Sequence, residues 1–441
     1  MDQKSIVGAL ASAFLGGDLG VRAVAERGAI ALGRRWRWLR PLSERYVRHY
    51  SGKIPPSKAD VVRFLLDDTG FANARLKYAR TLHVDHWVFD APGMDALARW
   101  DVPAIESPLA LADWLCLGPG ELEWLADLKG YLRKPHVPAR LRHYHYRVLA
   151  KPGGSVRLVE APKPTLKEVQ RRILSEIMDR MPAHEACHGF RKRRSIRTFV
   201  AAHTGKRVVL KMDLSDFFPS IGRSRIQALF RTMGYPYAVA DLLGGLCTTI
   251  TPREIWKPDQ SADPNRLSEA RAMYASPHLP QGAPTSPSLA NLCAYRVDCR
   301  LTGLARSAGA EYTRYADDLA FSGGDDFARS AERFMVRATA ILLEEGFEVH
   351  HRKTRIMRRG VRQQLAGLVV NEHSNIRRSD FDTLKAILTN CLRHGPASQN
   401  RAGHLDFRLH LDGRIGFVQS IRPERGAKLR AIFDRIDWGA R

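Results

Sequence analysis

Two adjacent aspartates, Asp317 and Asp318, lie between aromatic, β-branched and apolar residues in the stretch 311–322. Such flanks favour two short strands joined by a tight turn, with the acid pair at or near the turn. Neighbouring carboxylates at a bend present oxygen atoms to a common point, and Mg²⁺ prefers oxygen ligands. Asp-Asp also occurs as ordinary solvated turn chemistry. The pair therefore predicts a metal-dependent phosphoryl-transfer site only if a further carboxylate joins it.

Asp213 is the candidate for that further carboxylate. The apolar, β-prone run 207–212 leads into it, and Phe217, Phe218 and Pro219 follow. Because Pro219 has no backbone N–H and blocks further strand pairing, Asp213 is predicted at a strand end. A sheet could hold it there against the acid hairpin.

A third segment, Leu279-Pro-Gln-Gly-Ala-Pro-Thr-Ser-Pro287, is a Pro- and Gly-rich loop that opens a helix. In this order, the strand-end Asp, the Pro-Gln-Gly loop and the Tyr-x-Asp-Asp hairpin resemble the motifs of reverse transcriptases. Within that superfamily the chain looks most like the bacterial retron enzymes. The phrases that carry this resemblance are His188-Gly-Phe-Arg191, Arg194-Ser-Ile196, residues 211–220, 280–287 and 312–318, and Gly367-Leu-Val-Val-Asn371.

The resemblance implies an α+β right-hand polymerase fold. Fingers and palm would occupy residues 106–375, with a split βαβ palm sheet whose last strand is predicted at 347–350, and a small helical thumb would follow at 376–441. Residues 1–105 lie outside the resemblance and are predicted to be a mostly helical extension of unknown role.

The resemblance also implies roles for single residues. Asp213, Asp317 and Asp318 would be catalytic, and together with Leu214 they would hold two Mg²⁺ ions, with Mn²⁺ as an alternative. The predicted nucleotide-binding residues are Lys151, Arg157, Phe218, Gln281, Gly282, Tyr315 and Lys353.

Three of these assignments have alternatives in which the residue has no role in catalysis or binding. Lys151 could lie on a solvated hairpin face, whereas Arg157 can bind phosphate oxygens bidentately. A lone Lys353 could be surface charge, although the family places a cation there that could assist departing pyrophosphate. Phe218 stands where reverse transcriptases place a ring beneath the incoming sugar, which excludes a 2′-hydroxyl, but Phe217 and Phe218 could both be core residues.

Charge indicates a nucleic-acid partner. Lys and Arg number 70 against 46 Asp and Glu, a formal net charge of +24, which favours phosphate contacts with counterion release. A basic surface that only maintains solubility is the alternative. The predicted nucleic-acid contacts are Arg191, Arg193, Arg194, His203 and, in a strand resembling the primer grip, Gly367.

Two departures count against a true retron enzyme. Retrons typically show Asn-Ala where this chain has Phe199-Val200, and Val-Thr where it has Leu365-Ala366. The first departure leaves the predicted polymerase chemistry untouched, and the second is mild.

The N-terminal extension contains Arg34-Arg-Trp-Arg-Trp-Leu-Arg40. Basic residues alternating with aromatics can grip phosphates and stack on unpaired bases. They can equally surround a tryptophan-anchored core contact. The pattern alone does not decide between the two.

The remaining features concern the compartment. Six cysteines are scattered without a Cys-x-x-Cys pair, as in a reduced, cytoplasmic protein. The short apolar run near the start is predicted to form a small amphipathic helix, neither a signal peptide nor a membrane anchor.

The sequence therefore predicts an RNA-directed DNA polymerase of retron type. Its partners would be a noncoding RNA that serves as template and primer, the DNA product, dNTPs and an effector protein, with no membrane. The product would be a short branched RNA-linked DNA made in anti-phage defence. The alternatives are another bacterial reverse transcriptase, such as a group II intron or diversity-generating enzyme, or a catalytically silent nucleic-acid-binding scaffold.

Overall fold

The computed structural model describes residues 3–15, 20–51, 56, 58–79, 81–85, 100–134, 137–150, 156–256 and 264–439. The helices in chain order are α1 (Gln3–Leu15), α2 (Val21–Ala31), α3 (Leu39–Tyr50), α4 (Lys58–Asp67), α5 (Thr69–Lys77), α6 (Pro108–Leu115), α7 (Pro119–Ala126), α8 (Pro164–Glu176), α9 (Ile196–Ala201), α10 (Arg223–Thr232), α11 (Tyr237–Cys247), α12 (Pro264–Met273), α13 (Ser286–Cys293), α14 (Tyr295–Ser307), α15 (Asp325–Glu344), α16 (Arg378–His394), α17 (Phe407–Ile421) and α18 (Pro423–Phe433). The strands are β1 (Tyr144–Ala150), β2 (Val156–Pro162), β3 (Val208–Asp213), β4 (Ala310–Tyr315), β5 (Asp318–Gly323), β6 (Arg355–Arg358), β7 (Gln364–Leu365) and β8 (Leu368–Val369).

The chain divides into two compact units. The first combines Met1–Met181 with Ile221–Leu289, and the second combines Pro182–Ser220 with Ala290–Arg441. These boundaries follow packing. The predicted functional division into extension, fingers with palm, and thumb stays a prediction.

The N-terminal region of the first unit is helical, as predicted. Helices α1 to α5 surround one apolar core, and α1 places Val7, Leu10 and Phe14 in it at the i, i+3, i+7 spacing of a helix face. Among the described residues, no helix combines the length and apolar character needed to cross a bilayer.

The two tryptophans of the basic N-terminal segment belong to this core. Trp36 is 6% exposed and packs against Tyr78 at 4.8 Å between ring centroids, while Trp38 packs against Phe71 at 5.4 Å. The guanidinium of Arg34 lies 3.6 Å from the centroid of the Trp36 ring. The structure therefore supports the core-contact interpretation, with Trp36 buried and Trp38 half-buried against the same core.

The first unit also contains the two strands of the predicted hairpin, on either side of residues 151–155, which lie outside the described part of the chain. Strands β1 and β2 pair antiparallel from Tyr144 opposite Pro162 to Ala150 opposite Val156. Leu158 points into a small core with Trp256 and Tyr274, so one face of the hairpin is anchored on the segments that follow α11.

The second unit is built on a four-stranded antiparallel sheet in the order β4-β5-β3-β6. Helix α15 packs on β3, β5 and β6, and α14 packs on β4. This arrangement is the predicted split βαβ palm.

The last palm strand, however, was predicted in the wrong place. It is β6, at Arg355–Arg358, whereas in the stretch 347–350 only an isolated bridge from Val349 to Leu214 forms. Strand β6 is at the sheet edge, where its two terminal arginines stay exposed, so its sequence lacks the apolar pattern of an inner strand.

Helices α16, α17 and α18 form the helical C-terminal part of the second unit. Leu384 and Leu388 of α16, Ile415 of α17 and Leu429 of α18 share one apolar core with sheet residues such as Val209. The C-terminal helices thus pack on the same unit that carries the acids.

Candidate active site

The three predicted catalytic acids come together at one end of the sheet. Asp213 is the last residue of β3 and lies opposite Asp318, the first residue of β5, in the antiparallel register. Asp317 sits in the two-residue turn between β4 and β5, and its carbonyl accepts a 2.9 Å hydrogen bond from the Leu214 N–H. The strand end and the hairpin turn are therefore tied by backbone contacts.

Two lysines lie beside these carboxylates. The Lys353 ammonium donates to Asp213 Oδ2 at 2.9 Å, and Lys211 Nζ lies 2.8 Å from Asp318 Oδ1. The second contact is an ion pair without hydrogen-bond geometry, since Asp318 Oδ1 is buried and accepts no hydrogen bond. Asp213 and Asp318 thus each have a lysine ammonium as a neighbour.

The electrostatics of the site disfavour further negative charge. Burial raises the pKa of Asp317, and the neighbouring charges of Asp318 and Asp213 raise it further, while its own backbone N–H and Lys353 act in the opposite direction. A cation brought to these acids would relieve that penalty.

The residues fit a hard divalent cation in chemistry. In the part of the chain that the structure describes, no three His, Cys, Asp or Glu side chains are grouped as a ready-made ion site. The acid cluster nevertheless offers only oxygen donors, and it includes the buried Asp318 Oδ1 that accepts no hydrogen bond. The carboxylates would have to leave their lysine partners to reach a common ion.

The turn that carries Asp317 is strained. Ala316 has φ +55°, in the left-handed region that residues other than Gly, Asn and Asp rarely adopt. Arg314, at the end of β4, donates from Nη1 to the Ala316 carbonyl at 3.1 Å. The strain is thus located at the residue between Tyr315 and the proposed catalytic acid.

Arg314 is itself fully buried and is paired with Asp298 of α14. Nε donates to Oδ1 at 2.8 Å, and Nη2 donates to Oδ2 at 2.6 Å. Burial opposes the charge on Arg314, but the attraction and hydrogen bonds of Asp298 outweigh it and raise its pKa.

An aromatic strip lies in the same unit as the acids. Phe217 is a core residue, 3% exposed and packed on Phe347, whereas Phe218 is half-buried and lies 6.3 Å from the ring of Phe190. Phe190 in turn lies 6.3 Å from Tyr315. Of the two adjacent phenylalanines, only Phe217 is a core residue, which leaves Phe218 partly accessible.

The predicted nucleic-acid contacts divide by exposure. Arg193 and Arg194 are exposed, while Arg191 is half-buried and donates from Nη1 to the carbonyls of His184 and Cys187. Gly367 has φ +87° in the tight turn between β7 and β8. Arg193 and Arg194 therefore remain available for phosphate contacts, whereas Arg191 holds the local backbone.

His203 was predicted wrongly as a nucleic-acid contact. It is 0% exposed, and its ring nitrogens lie 2.7 Å from Ser322 Oγ and Thr313 Oγ1. Burial lowers its pKa to about 3. The side chain therefore joins α9 and its following turn to the sheet and has no face for RNA or DNA.

The other nucleotide-binding predictions fall in the first unit. Arg157 is exposed on β2, and Lys151 lies outside the described residues. Gln281 accepts a 2.7 Å hydrogen bond at its carbonyl from the Glu160 N–H. Gly282 has φ +131°, and a Cβ there would come within 2.9 Å of the Glu160 carbonyl oxygen. Only glycine fits this position, because of its approach to β2.

A buried polar network supports that loop. Glu160 is 0% exposed, and its two carboxylate oxygens lie 2.9 Å from His278 Nε2 and 2.7 Å from Thr251 Oγ1. His278 Nδ1 lies 2.7 Å from the Ser276 carbonyl. The network thus ties the start of the Pro-Gln-Gly segment to β2.

Sequence reasoning missed several of these residues. Lys211, Phe190 and the Arg314–Asp298 pair were not singled out as part of the site. One signal was present for the pair: Asp298 interrupts the apolar stripe of α14, where Val297, Leu301 and Ala305 are buried. A lone acid on an apolar helix face requires a buried partner.

Comparisons with known proteins agree with this geometry. Residues 149–378 match the family described as reverse transcriptase (RNA-dependent DNA polymerase). The retron Mx65 reverse transcriptase of Myxococcus xanthus is 38% identical over 342 residues, which cover 77% of this chain and 74% of the relative. The chain belongs to the retron reverse transcriptases.

Other retron reverse transcriptases are also similar. The retron Mx162 enzyme of Myxococcus xanthus is 35% identical over 374 residues, covering 80% of this chain and 73% of the relative. The retron Ec86 enzyme of Escherichia coli is 30% identical over 305 residues, covering 68% and 82%. This reverse transcriptase is thus an RNA-directed DNA polymerase, and nucleic-acid template and dNTPs are its substrates.

The two departures from the retron pattern lie in the interior of this reverse transcriptase. Phe199, Val200 and Leu365 are each 0% exposed and belong to the core of the second unit. Ala366 is half-buried, and the three acids still lie together at the end of the sheet, which is consistent with family membership.

Proposed function

We propose that this reverse transcriptase copies a partner noncoding RNA into a short branched RNA-linked DNA, primed from a 2′-hydroxyl of that RNA, in anti-phage defence. Support comes from its retron relatives and from one observation in the structure, the placement of Asp213 opposite Asp318 with Asp317 in the adjoining turn. An effector protein is a further proposed partner.

Asp213, Asp317 and Asp318, with the backbone carbonyl of Leu214, are the proposed holders of two Mg²⁺ ions, for which Mn²⁺ could substitute. The chemistry that bound Mg²⁺ supplies is a lowered pKa of the primer hydroxyl and neutralised charge on the triphosphate. The sheet register holds the backbones of the three acids at one end, so only the side chains of Asp213 and Asp318 would need to move from their lysines to reach the ions.

Other side chains have proposed roles in orientation and charge balance. Lys353, whose ammonium is 2.9 Å from Asp213, would donate a proton to departing pyrophosphate or pair with its negative charge. Half-buried Phe218 would lie beneath the incoming sugar and exclude a 2′-hydroxyl. Tyr315, Arg157, Gln281 and Gly282 stay predictions for nucleotide contact, and Arg193 and Arg194 for template contact.

The deciding experiment expresses the gene with its native flanking DNA and extracts small nucleic acids. These are treated with RNase and a debranching enzyme and then sequenced. A discrete short DNA that shifts on debranching and disappears in Asp317→Ala is the expected result. Absence of such DNA, together with activity on an added primer and template, would assign the enzyme to a different branch of bacterial reverse transcriptases.

We also propose a cytoplasmic location. None of the six cysteines, all of which lie in the described residues, belongs to a disulfide, as expected of a protein in a reducing compartment.

A further inference from the structure

The most unusual buried group of the second unit is the ion pair of Arg314 and Asp298. Both side chains are 0% exposed, and Arg314 is the largest fully buried side chain in the described chain. The Tyr312 hydroxyl donates a third hydrogen bond to Asp298, at 2.8 Å to Oδ1. Asp298 thus accepts three hydrogen bonds from β4, two at Oδ1 and one at Oδ2.

Such a pair is a weak source of stability. Removing both charges from water opposes folding, and apolar residues of the same volume in such a place are often equally stable or more stable. The retention of a charged pair beneath the proposed catalytic turn therefore calls for a role other than folding energy.

The third nitrogen of the guanidinium indicates that role. Arg314 Nη1 donates to the Ala316 carbonyl at 3.1 Å and to Asn291 Oδ1 at 3.0 Å. Ala316 is the residue with φ +55°, so this hydrogen bond holds a backbone conformation that alanine would otherwise leave.

The opposite side of the turn is also fixed. Asn291 Nδ2 donates to the Gly189 carbonyl at 2.9 Å, and a Cβ on Gly189 would come within 2.6 Å of the Ala316 N atom. The Arg314 backbone donates to the Ala186 carbonyl and accepts from the His188 N–H, both at 2.7 Å. Residue 316 is thus enclosed by the Arg314 guanidinium, by Asn291 and by the segment 186–189.

We infer that Arg314, oriented by Asp298, is a positioning residue that holds the strained Ala316–Asp317 turn and thereby fixes the carboxylate of Asp317. The inference rests on the proposed catalytic role of Asp317. Only arginine suits the position, since its rigid fork binds the carboxylate with two nitrogens and the turn with the third, whereas lysine offers its protons from one atom.

The test separates positioning from folding. The triple variant Tyr312→Phe/Asp298→Leu/Arg314→Met removes the polar group around the ion pair while keeping its volume. We expect it to unfold at a temperature close to that of wild type, with kcat for dNTP incorporation about 100-fold lower and KM for dNTP changed about twofold or less. A folded triple variant with wild-type kcat would overturn the inference.

If the triple variant does not fold, a second pair of variants still tests the positioning role. Arg314→Lys should lower kcat. Adding Ala316→Gly to that variant should raise kcat again by about tenfold, because glycine adopts positive φ without the hydrogen bond from Arg314. Failure of glycine to restore activity lost in Arg314→Lys would contradict the positioning role. So would full activity of Arg314→Lys itself.

Two further proteins complete the experiment. Arg300 lies on α14, the helix that also carries Asp298, and pairs with Glu344 and Glu345; kcat of Arg300→Met should equal that of wild type. Asp317→Ala tests the proposed function separately. If Asp317→Ala still synthesises DNA, the catalytic assignment of Asp317 is contradicted. If Asp317→Ala is inactive while the folded triple variant is fully active, only the role of Arg314 is contradicted.

Discussion

The Lys353 ammonium donates a 2.9 Å hydrogen bond to Asp213 Oδ2, across 140 residues of sequence. The carboxylate is almost fully buried and the lysine is about half exposed, so the ammonium can move while the acid stays fixed. In the proposed reaction, a cation held in this way would already be at the site when the triphosphate arrives.

Replacing Lys353 by Met should therefore slow nucleotide incorporation about 100-fold, because charge on departing pyrophosphate loses its partner. Single-turnover incorporation of one dNTP measures the effect. Lys353→Arg should retain more activity than Lys353→Met, since the charge is kept. Arg333→Ala, at an exposed position of α15, is the control. Equal rates for Lys353→Met and wild type would show that the lysine is only surface charge.

Asp317→Asn should abolish DNA synthesis and yet stabilise the protein without metal. The substitution removes a partly buried charge whose pKa is raised by burial and by Asp318 and Asp213. We expect the unfolding midpoint to rise by about 3 °C in EDTA, with a larger gain at neutral than at acidic pH, because the wild-type acid is protonated in acid. Thermal unfolding with and without Mg²⁺ provides the measurement. A lower midpoint for the variant in EDTA would mean that the acids do not repel one another.

Phe218→Ala should admit ribonucleotides. The half-buried ring is the proposed barrier to a 2′-hydroxyl, and its removal opens space for that group. The ratio of kcat/KM for dNTP and rNTP should fall at least about tenfold. Phe217→Ala is the contrasting variant, since loss of a core ring should cost about 3 kcal/mol of stability and leave sugar selection unchanged. Unaltered discrimination in Phe218→Ala would count against the sugar contact.

His203 should make the enzyme sensitive to acid. Its pKa is about 3 in the folded protein, against an ordinary value of 6.5, so between these values only the unfolded chain binds the proton. Stability from this residue is thus complete above pH 6.5 and declines as the pH falls, by about 2 kcal/mol at pH 5. Urea unfolding at pH 7 and pH 5 should show a smaller difference for His203→Gln. An unchanged difference would place the acid sensitivity elsewhere.

Local pattern was enough to find the acids because strand periodicity and Pro219 locate Asp213, and the Tyr-x-Asp-Asp hairpin locates the other two. The burial of individual side chains could not be predicted from local pattern in the same way. His203 occupies a motif position but faces the sheet interior, and β6 has the charged ends of an edge strand. The partners of Arg314 come from α13, α14 and the 186–189 segment, and only tertiary packing brings these together.

The first unit has consequences for how the chain is made. Its two segments, 1–181 and 221–289, meet through the Tyr235 hydroxyl and the Pro103 carbonyl, through Gln170 and the Leu246 carbonyl, and through Glu160 and His278. During translation the hairpin, including the buried carboxylate of Glu160, leaves the ribosome before its imidazole partner exists. A nascent chain that stops near residue 220 would carry that unpaired acid, so the unit can reach its final packing only after residue 289 has been added.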